Sequence, residues 1–212
     1  MKMTNLIAFC LLISMSSICA QTTSKKVIGI QAKYSYANSL HYNAPVAVVS
    51  YIEGTNYFRQ YPRSRSQYEL ALLKSISANQ DIKIGIGLSS YSFFQEREDV
   101  WVIGLPSYPI IKTEFNYRFL SYIIGIRHKF KSETNVRPYI DFEFQYDQNI
   151  IKDFSVKQGA ALKLATGIMV EMNDRTQIIT DIFYKSALTA YNWQKTYYPF
   201  QWGIALGLVF RY

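Results

Sequence analysis

The sequence predicts an all-β fold: an eight-stranded antiparallel transmembrane β-barrel with short periplasmic turns and long outer loops. Three observations carry that prediction. The chain ends on PFQWGIALGLVFRY, where Trp202, Ile204, Leu206, Leu208, Phe210 and Tyr212 share one side of an extended strand and Gln201, Gly203, Ala205, Gly207, Val209 and Arg211 share the other, because strand side chains alternate faces. Eight alternating segments lie along the chain, and the connections between them run long, short, long, short, long, short, long. This is how a barrel with tight turns at one membrane face and loops at the other is connected. Finally, no stretch beyond residue 20 approaches the ~20 uninterrupted apolar residues of a membrane helix, yet 16% of the chain is aromatic. Membrane residence has to come from strands.

Residues 1 to 20 read MKMTNLIAFCLLISMSSICA, with Lys2 as a basic start, an apolar run from Leu6 to Ile13, and Ala20 before the polar Gln21. That is the layout of a secretory signal peptide, removed on export. A lipoprotein anchor needs a small residue before the modified cysteine, and Ile18 precedes Cys19. Both cysteines, Cys10 and Cys19, fall inside the signal. The mature barrel domain, residues 21 to 212, therefore has neither a disulfide framework nor a thiolate metal site. The formal charge is +8. Basic chains can partner nucleic acid, but an exported chain does not meet it, and anionic lipid head groups are the expected counter-charge.

Strand one is expected from Val27 to Tyr36, where Ile28, Ile30, Ala32, Tyr34 and Tyr36 alternate with Gly29, Gln31, Lys33 and Ser35. Residues 37 to 65 are expected to form the largest loop, with a possible hairpin at Glu53-Gly54-Thr55-Asn56. Strand two follows over Ser66 to Ile76, then a polar turn from Ser77 to Asp81, then strand three over Ile82 to Phe94. A second long loop, residues 95 to 112, holds Pro106 and Pro109, which argue against a central strand. Strand four, Glu114 to Lys131, changes parity near Phe119-Leu120, where a β-bulge would restore the facing. Strand five spans Arg137 to Asp147, strand six Lys157 to Met172 and strand seven Thr176 to Leu188; an aromatic loop leads into the last strand. No segment after the signal has helical periodicity, which excludes α/β folds with a phosphate-binding glycine loop.

The closing strand resembles the terminal insertion signal of bacterial outer-membrane barrels: aromatic Tyr212 at the end, aromatic Phe210 two before it, and Gly207. Ala205 stands where that signal has a polar residue. The likeness implies recognition by the barrel assembly machinery; outer-membrane lipid is the expected surroundings, and a monomer the expected state. The mature chain as a whole resembles the small outer-membrane barrels of Bacteroidetes often labelled PorT-like. The resemblance lies in IKIGIGLSSYSFF, in FLSYIIGIRHKF, with Ile123 where the family usually has proline, and in the closing GLVFRY. It implies the barrel class; a role in protein secretion, known for one branch, does not follow.

If the apolar rows face lipid, the opposite rows line the interior. They bring Lys33, Lys83, Arg127, Lys129, Lys163, Lys185 and Arg211 beside Glu69, Asp141, Glu143, Glu171 and Asp181. An eight-stranded barrel is only just wide enough for its own side chains. The interior is therefore either a narrow ion path or a salt-bridged plug, and mixed charges that must pair favour the plug. With base in excess, Asp181 and Glu171 are each expected to serve more than one cation, and Asp147 is placed at a loop mouth.

The outer loops are expected to present Arg59, Tyr61, Arg63, Arg65 and Trp193, together with Tyr57, Phe58, Trp101, Tyr108, Tyr191, Tyr197 and Tyr198. Aromatics with arginine suit binding surfaces and phosphate groups; the alternative is an interfacial girdle. Only His41 and His128 could serve a rim-acting lipid-modifying enzyme, and neither has a catalytic partner at a recognisable spacing. No metal-ligand spacing occurs and no cofactor is expected. The sequence thus points to a non-enzymatic outer-membrane barrel with a largely closed polar interior, structural or surface-binding. The competing reading is a secreted soluble barrel with its apolar faces turned inward around a ligand.

Overall fold

The computed structural model describes residues 28–43, 55–100, 111–151, 156–191 and 197–212, without the side chains of 41–43, 55–60, 95–100, 111 and 197. The predicted signal peptide lies outside the described residues. Eight strands, β1 (Ile28–Asn43), β2 (Thr55–Ser77), β3 (Gln80–Val100), β4 (Ile111–Lys129), β5 (Val136–Asn149), β6 (Gln158–Glu171), β7 (Thr176–Ala187) and β8 (Tyr197–Arg211), pair in sequence order into a closed barrel. Every neighbouring pair is antiparallel, including β8 against β1, whose register runs from Gly29 opposite Arg211 to Asn43 opposite Tyr197. The Tyr212 N–H donates to the Ile28 carbonyl at 2.8 Å, so the last residue finishes the seam.

The barrel settles which face is inside. On β8 the row Ile204, Leu206, Leu208, Phe210 is exposed and Gln201, Ala205 and Val209 are buried; Ile204 is 62% exposed and Gln201 0%. The same inversion holds around the wall, with Ile84 and Ile182 outward and Lys83 and Asp181 inward. A closed sheet that turns its aliphatic residues outward and its charges inward is satisfied only in hydrocarbon. The soluble reading with inward apolar faces is overturned. An aromatic band tops the outward apolar belt: Tyr34 and Tyr68 stand 5.5 Å apart, Tyr122 and Tyr146 6.3 Å, and Phe200 lies 5.6 Å from Trp202. At the opposite edge are Phe130, which His128 meets edge-on at 5.1 Å, and Tyr212.

Three sequence expectations need correction. Residues 37 to 65 do not form one large loop: β1 continues to Asn43 and β2 starts at Thr55, so Arg59, Tyr61, Arg63 and Arg65 lie on a strand. Likewise β3 reaches Val100 and β4 begins at Ile111, which shortens the second loop. Above the lipid belt a strand no longer needs an apolar face, so alternation vanishes from the sequence while backbone pairing continues.

Nor does β4 carry a bulge at Phe119-Leu120. Its register with β3 is unbroken from His128 opposite Gln80 to Ile111 opposite Arg97. What changes is the chemistry of the two rows: Leu120 is the last aliphatic residue of the outward row, and Phe119, Tyr117 and Phe115 take over the inward one. The irregularity lies elsewhere, between β2 and β3, where five residues (63–67) oppose four (89–92). Two inward side chains serve the backbone left unpaired there. Ser39 Oγ donates to the Ser92 carbonyl at 2.8 Å and accepts its N–H at 2.7 Å, and Gln201 Nε2 donates to the Ser90 carbonyl at 2.8 Å.

The wall is also uneven in height. β2, β3 and β4 have 23, 21 and 19 residues, whereas β7 has 12.

Strand contact is tight at Gly167, opposite Asp181 on β7. A β-carbon there would collide with the Thr180 carbonyl oxygen and lie 2.6 Å from the Asp181 β-carbon, both on a neighbouring strand that cannot yield. Gly167→Val is therefore expected to lower the urea unfolding midpoint in detergent and to reduce the heat-modifiable folded band on gels. Gly87→Ala, whose β-carbon would meet no atom closer than 3.0 Å, should do so much less.

Candidate functional site

Two groups of side chains could carry function: the charges inside the barrel and the basic aromatic cluster at its outer end. Inside, alternation on β1 to β7 sends Lys33, Glu69, Lys83, Arg127, Asp141, Glu143, Lys163 and Asp181 to one central layer, all buried. Four are cations and four are anions, so the layer is neutral. Arg127 grips Asp141 through Nε at 2.6 Å and Nη2 at 2.7 Å, the two-pronged arrangement that suits guanidinium to carboxylate. Its Nη2 also donates to Gln31 Oε1 at 2.7 Å, and its guanidinium lies 4.4 Å from the Tyr139 ring.

Lys83 bridges Glu143, at 2.6 Å, and Glu69, and lies 3.8 Å from Asp141. Lys163 joins the same two glutamates at 3.1 and 3.3 Å. Lys33 binds Asp181 at 2.7 Å and stands 3.7 Å from Asp141.

Smaller clusters close the two ends. Towards the periplasm Asp81 accepts from Lys129 at 2.8 Å, Ser75 at 2.7 Å and Arg211 at 3.3 Å. Towards the outside Asp147 accepts from Lys185 at 2.7 Å, Tyr191 and Ser121 at 2.6 Å, and Tyr91 at 3.1 Å. Above it Tyr91, Phe93, Tyr117, Phe119, Val156 and Tyr191 pack as an aromatic cap. A cavity beside Ser35, Glu69, Ser89 and Lys163 has a volume of about 10 Å³, room for one water at most.

The sharing of charge differs from the sequence expectation. Among the described residues Asp181 has one cation, Lys33, and takes its second donor from the Tyr139 hydroxyl at 2.6 Å. Glu171 sits half-exposed at the periplasmic rim, where its one ion pair among the described residues is with Arg137 at 3.4 Å. Inside the barrel, the carboxylates that serve several cations among the described residues are Asp141, Glu69, Glu143 and, at the periplasmic end, Asp81. Asp147 is not at a loop mouth but fully buried, and Asp81 belongs to β3 rather than to a turn. Both were legible in principle, since Asp147 continues the inward row of Tyr139, Asp141, Glu143 and Gln145.

At the outer end Arg63 and Arg65 converge on Glu114 of β4, the second through Nη2 at 3.2 Å. The Arg63 guanidinium lies 5.0 Å from the Phe94 ring centre, Lys112 Nζ 5.0 Å from the same ring and 5.8 Å from that of Tyr61. Arg59 pairs by backbone with Glu96; its side chain, that of His41, and all of Trp193 lie outside the described residues. No group of three or more His, Cys, Asp or Glu fit to hold a metal occurs among the described residues.

The fold defines the class: an outer-membrane-type β-barrel of eight strands, filled rather than hollow. No protein-family model matches the chain, and no curated protein matches it in sequence. Among solved structures it is similar to Neisserial surface protein A, at 9% identity and a TM-score of 0.57 over 87% of this chain and 97% of that one. It is also similar to the outer membrane protein OprG of Pseudomonas aeruginosa, at 7% identity and 0.53 over 88% and 96%. At such identities the likeness is one of fold.

Asp141 holds Arg127 and lies near Lys33 and Lys83, so removing it leaves buried positive charge without compensation, which costs about 3 to 5 kcal/mol. Asp141→Ala should lower the urea midpoint accordingly. Asp174→Ala, in the exposed turn after β6, should move it little, and equal midpoints in one detergent would contradict the neutral-layer account.

Proposed function

We propose that the protein is a non-enzymatic resident of the outer membrane, exported by residues 1–20, whose barrel is a closed anchor and whose basic aromatic outer end does the binding. The filled lumen carries this reading. Eight interlocked charges, the Asp81 cluster with Lys129 and Arg211 below them and an aromatic cap above leave no continuous space for a solute among the described residues, and ions cannot cross a layer whose every charge is already paired. The outer end is where arginine and aromatic side chains are concentrated and solvent can reach them. The sequence motifs quoted above favour the PorT-like barrels of Bacteroidetes as its relatives, with the barrel assembly machinery as the partner that inserts a monomer.

Planar-bilayer recordings of the purified barrel should show no stable conductance steps. Large reproducible steps would defeat the closed-anchor reading. Deleting Tyr212 removes both the seam bond to Ile28 and the terminal aromatic, and should leave the protein poorly assembled and degraded. Outer-membrane fractions probed for the truncated chain test this, and wild-type levels would count against it.

A further inference from the structure

We infer that the outward face of β1 to β4 is a docking platform for a phosphorylated glycolipid of the outer leaflet, with Arg63 and Arg65 holding a phosphate and the apolar grooves below holding its acyl chains. The inference rests on the surface-binding reading and names its ligand.

The first observation is where the arginines point. Pairing with β1 sets Arg63 opposite Ser39 and Arg65 opposite Ala37, both inward residues, so regular alternation would send both arginines into the barrel. The register slip between Pro62 and Tyr68 frees them from that parity. They reach Glu114 instead, on the row of β4 that continues into outward Arg118, Leu120 and Tyr122. The slip is a built feature, because Ser39 and Gln201 satisfy the backbone it leaves open.

The second observation is charge. Arg63 and Arg65 share one carboxylate, Glu114, so two guanidinium groups meet a single anion there. The arginines remain about a third exposed, so a ligand can reach them. Guanidinium forks match phosphate oxygens in pairs.

The third is height. Arg65 and Arg63 stand three and five residues beyond Tyr68 of the aromatic band. That is about 10 and 17 Å along the strand, or roughly 7 to 12 Å along the normal for a tilt near 45°. This puts Arg65 at the depth of the lipid head groups and Arg63 at their outer edge.

The fourth lies directly beneath. A groove of about 720 Å³ lined by Ala32, Tyr34, Leu70, Ile86, Leu88 and Leu206 runs down the lipid-facing wall, and a second of about 710 Å³ adjoins it over Ile84 and Tyr122. Each is of ligand-pocket size. A phosphate set above two apolar grooves on the same strands is the outline of lipid A, in which phosphates sit beside clustered acyl chains.

The test is titration of the detergent-purified barrel with lipid A, read by native mass spectrometry and by thermal shift. Its arms are dephosphorylated lipid A, phosphatidylglycerol and inorganic phosphate. Wild type should bind lipid A at least about tenfold more tightly than any of the three. Arg63→Ala with Arg65→Ala should abolish that preference while keeping heat-modifiable mobility, and Arg63→Lys with Arg65→Lys should keep part of it. Ala32→Phe, which fills the larger groove from the lipid side, should weaken lipid A without affecting the folded band.

Equal binding by the double alanine variant, equal binding of phosphatidylglycerol, or a response to inorganic phosphate alone would each overturn the inference. If lipid A does not bind but another surface ligand does, through residues of the outer end, the inference fails and the surface-binding reading stands. Should the outer end bind nothing, both fail.

Discussion

A bilayer interior offers no hydrogen bonds, and this single constraint orders the rest of the molecule. Every backbone amide between Ile28 and Tyr212 that crosses the hydrocarbon has to find its partner on a neighbouring strand, which forces the sheet to close. Closure at eight strands then fixes an interior too narrow for water and too wide to stay empty. The inward rows therefore have to fill it, and they do so with charge. Burying one lysine there would be prohibitive, but burying four cations with four anions gives each a partner. Neutrality of the central layer follows from closure. Long-range side-chain contacts such as Lys33 with Asp181 are consequences of the seam between β1 and β8.

The same constraint explains where regularity relaxes. Within the belt the ladder cannot be broken without loss, and the β1–β8 and β3–β4 registers run without a slip. The one long irregularity, across Arg63 to Gln67, lies at and above the aromatic band, where water and head groups can take up unpaired groups. Even there two side chains from β1 and β8 repair the inner side of the gap. The fold thus permits deviation at the level where a binding surface is useful.

How much could be read beforehand follows the same boundary. The last strand was legible from Trp202 to Tyr212, because lipid on one side and packed polar groups on the other impose strict alternation there; its first residues, Tyr197 and Tyr198, were expected in the outer loop but belong to β8. Legible too were the number of strands and the inward rows of Lys33, Glu69, Asp141 and Lys163. Alternation fails as a guide once lipid is gone: β2 from Thr55 to Arg65 mixes polar, basic and aromatic residues without a period of two in its sequence and passes for a loop. It also fails where both faces are apolar for different reasons, as at Phe119 and Leu120, where an aromatic cap inside begins as the aliphatic belt outside ends. Pairings between particular charges were out of reach, since which carboxylate meets which lysine depends on strand offset across the lumen and not on sequence spacing. Asp147 shows this well: its row was readable, its four donors from β3, β4, β7 and the segment after β7 were not.

The unequal heights of the strands give this otherwise cylindrical molecule a front and a back. β2 exceeds β7 by 11 residues (23 against 12), about 36 Å of extended chain, so the paired wall stands taller on the side of β2 to β4 than on the side of β7. Neighbouring proteins in a crowded membrane feel the same difference: a flat-topped partner can slide against β5 to β7 but not against β2 to β4. The barrel therefore has a preferred heading among its neighbours, set by strand length alone.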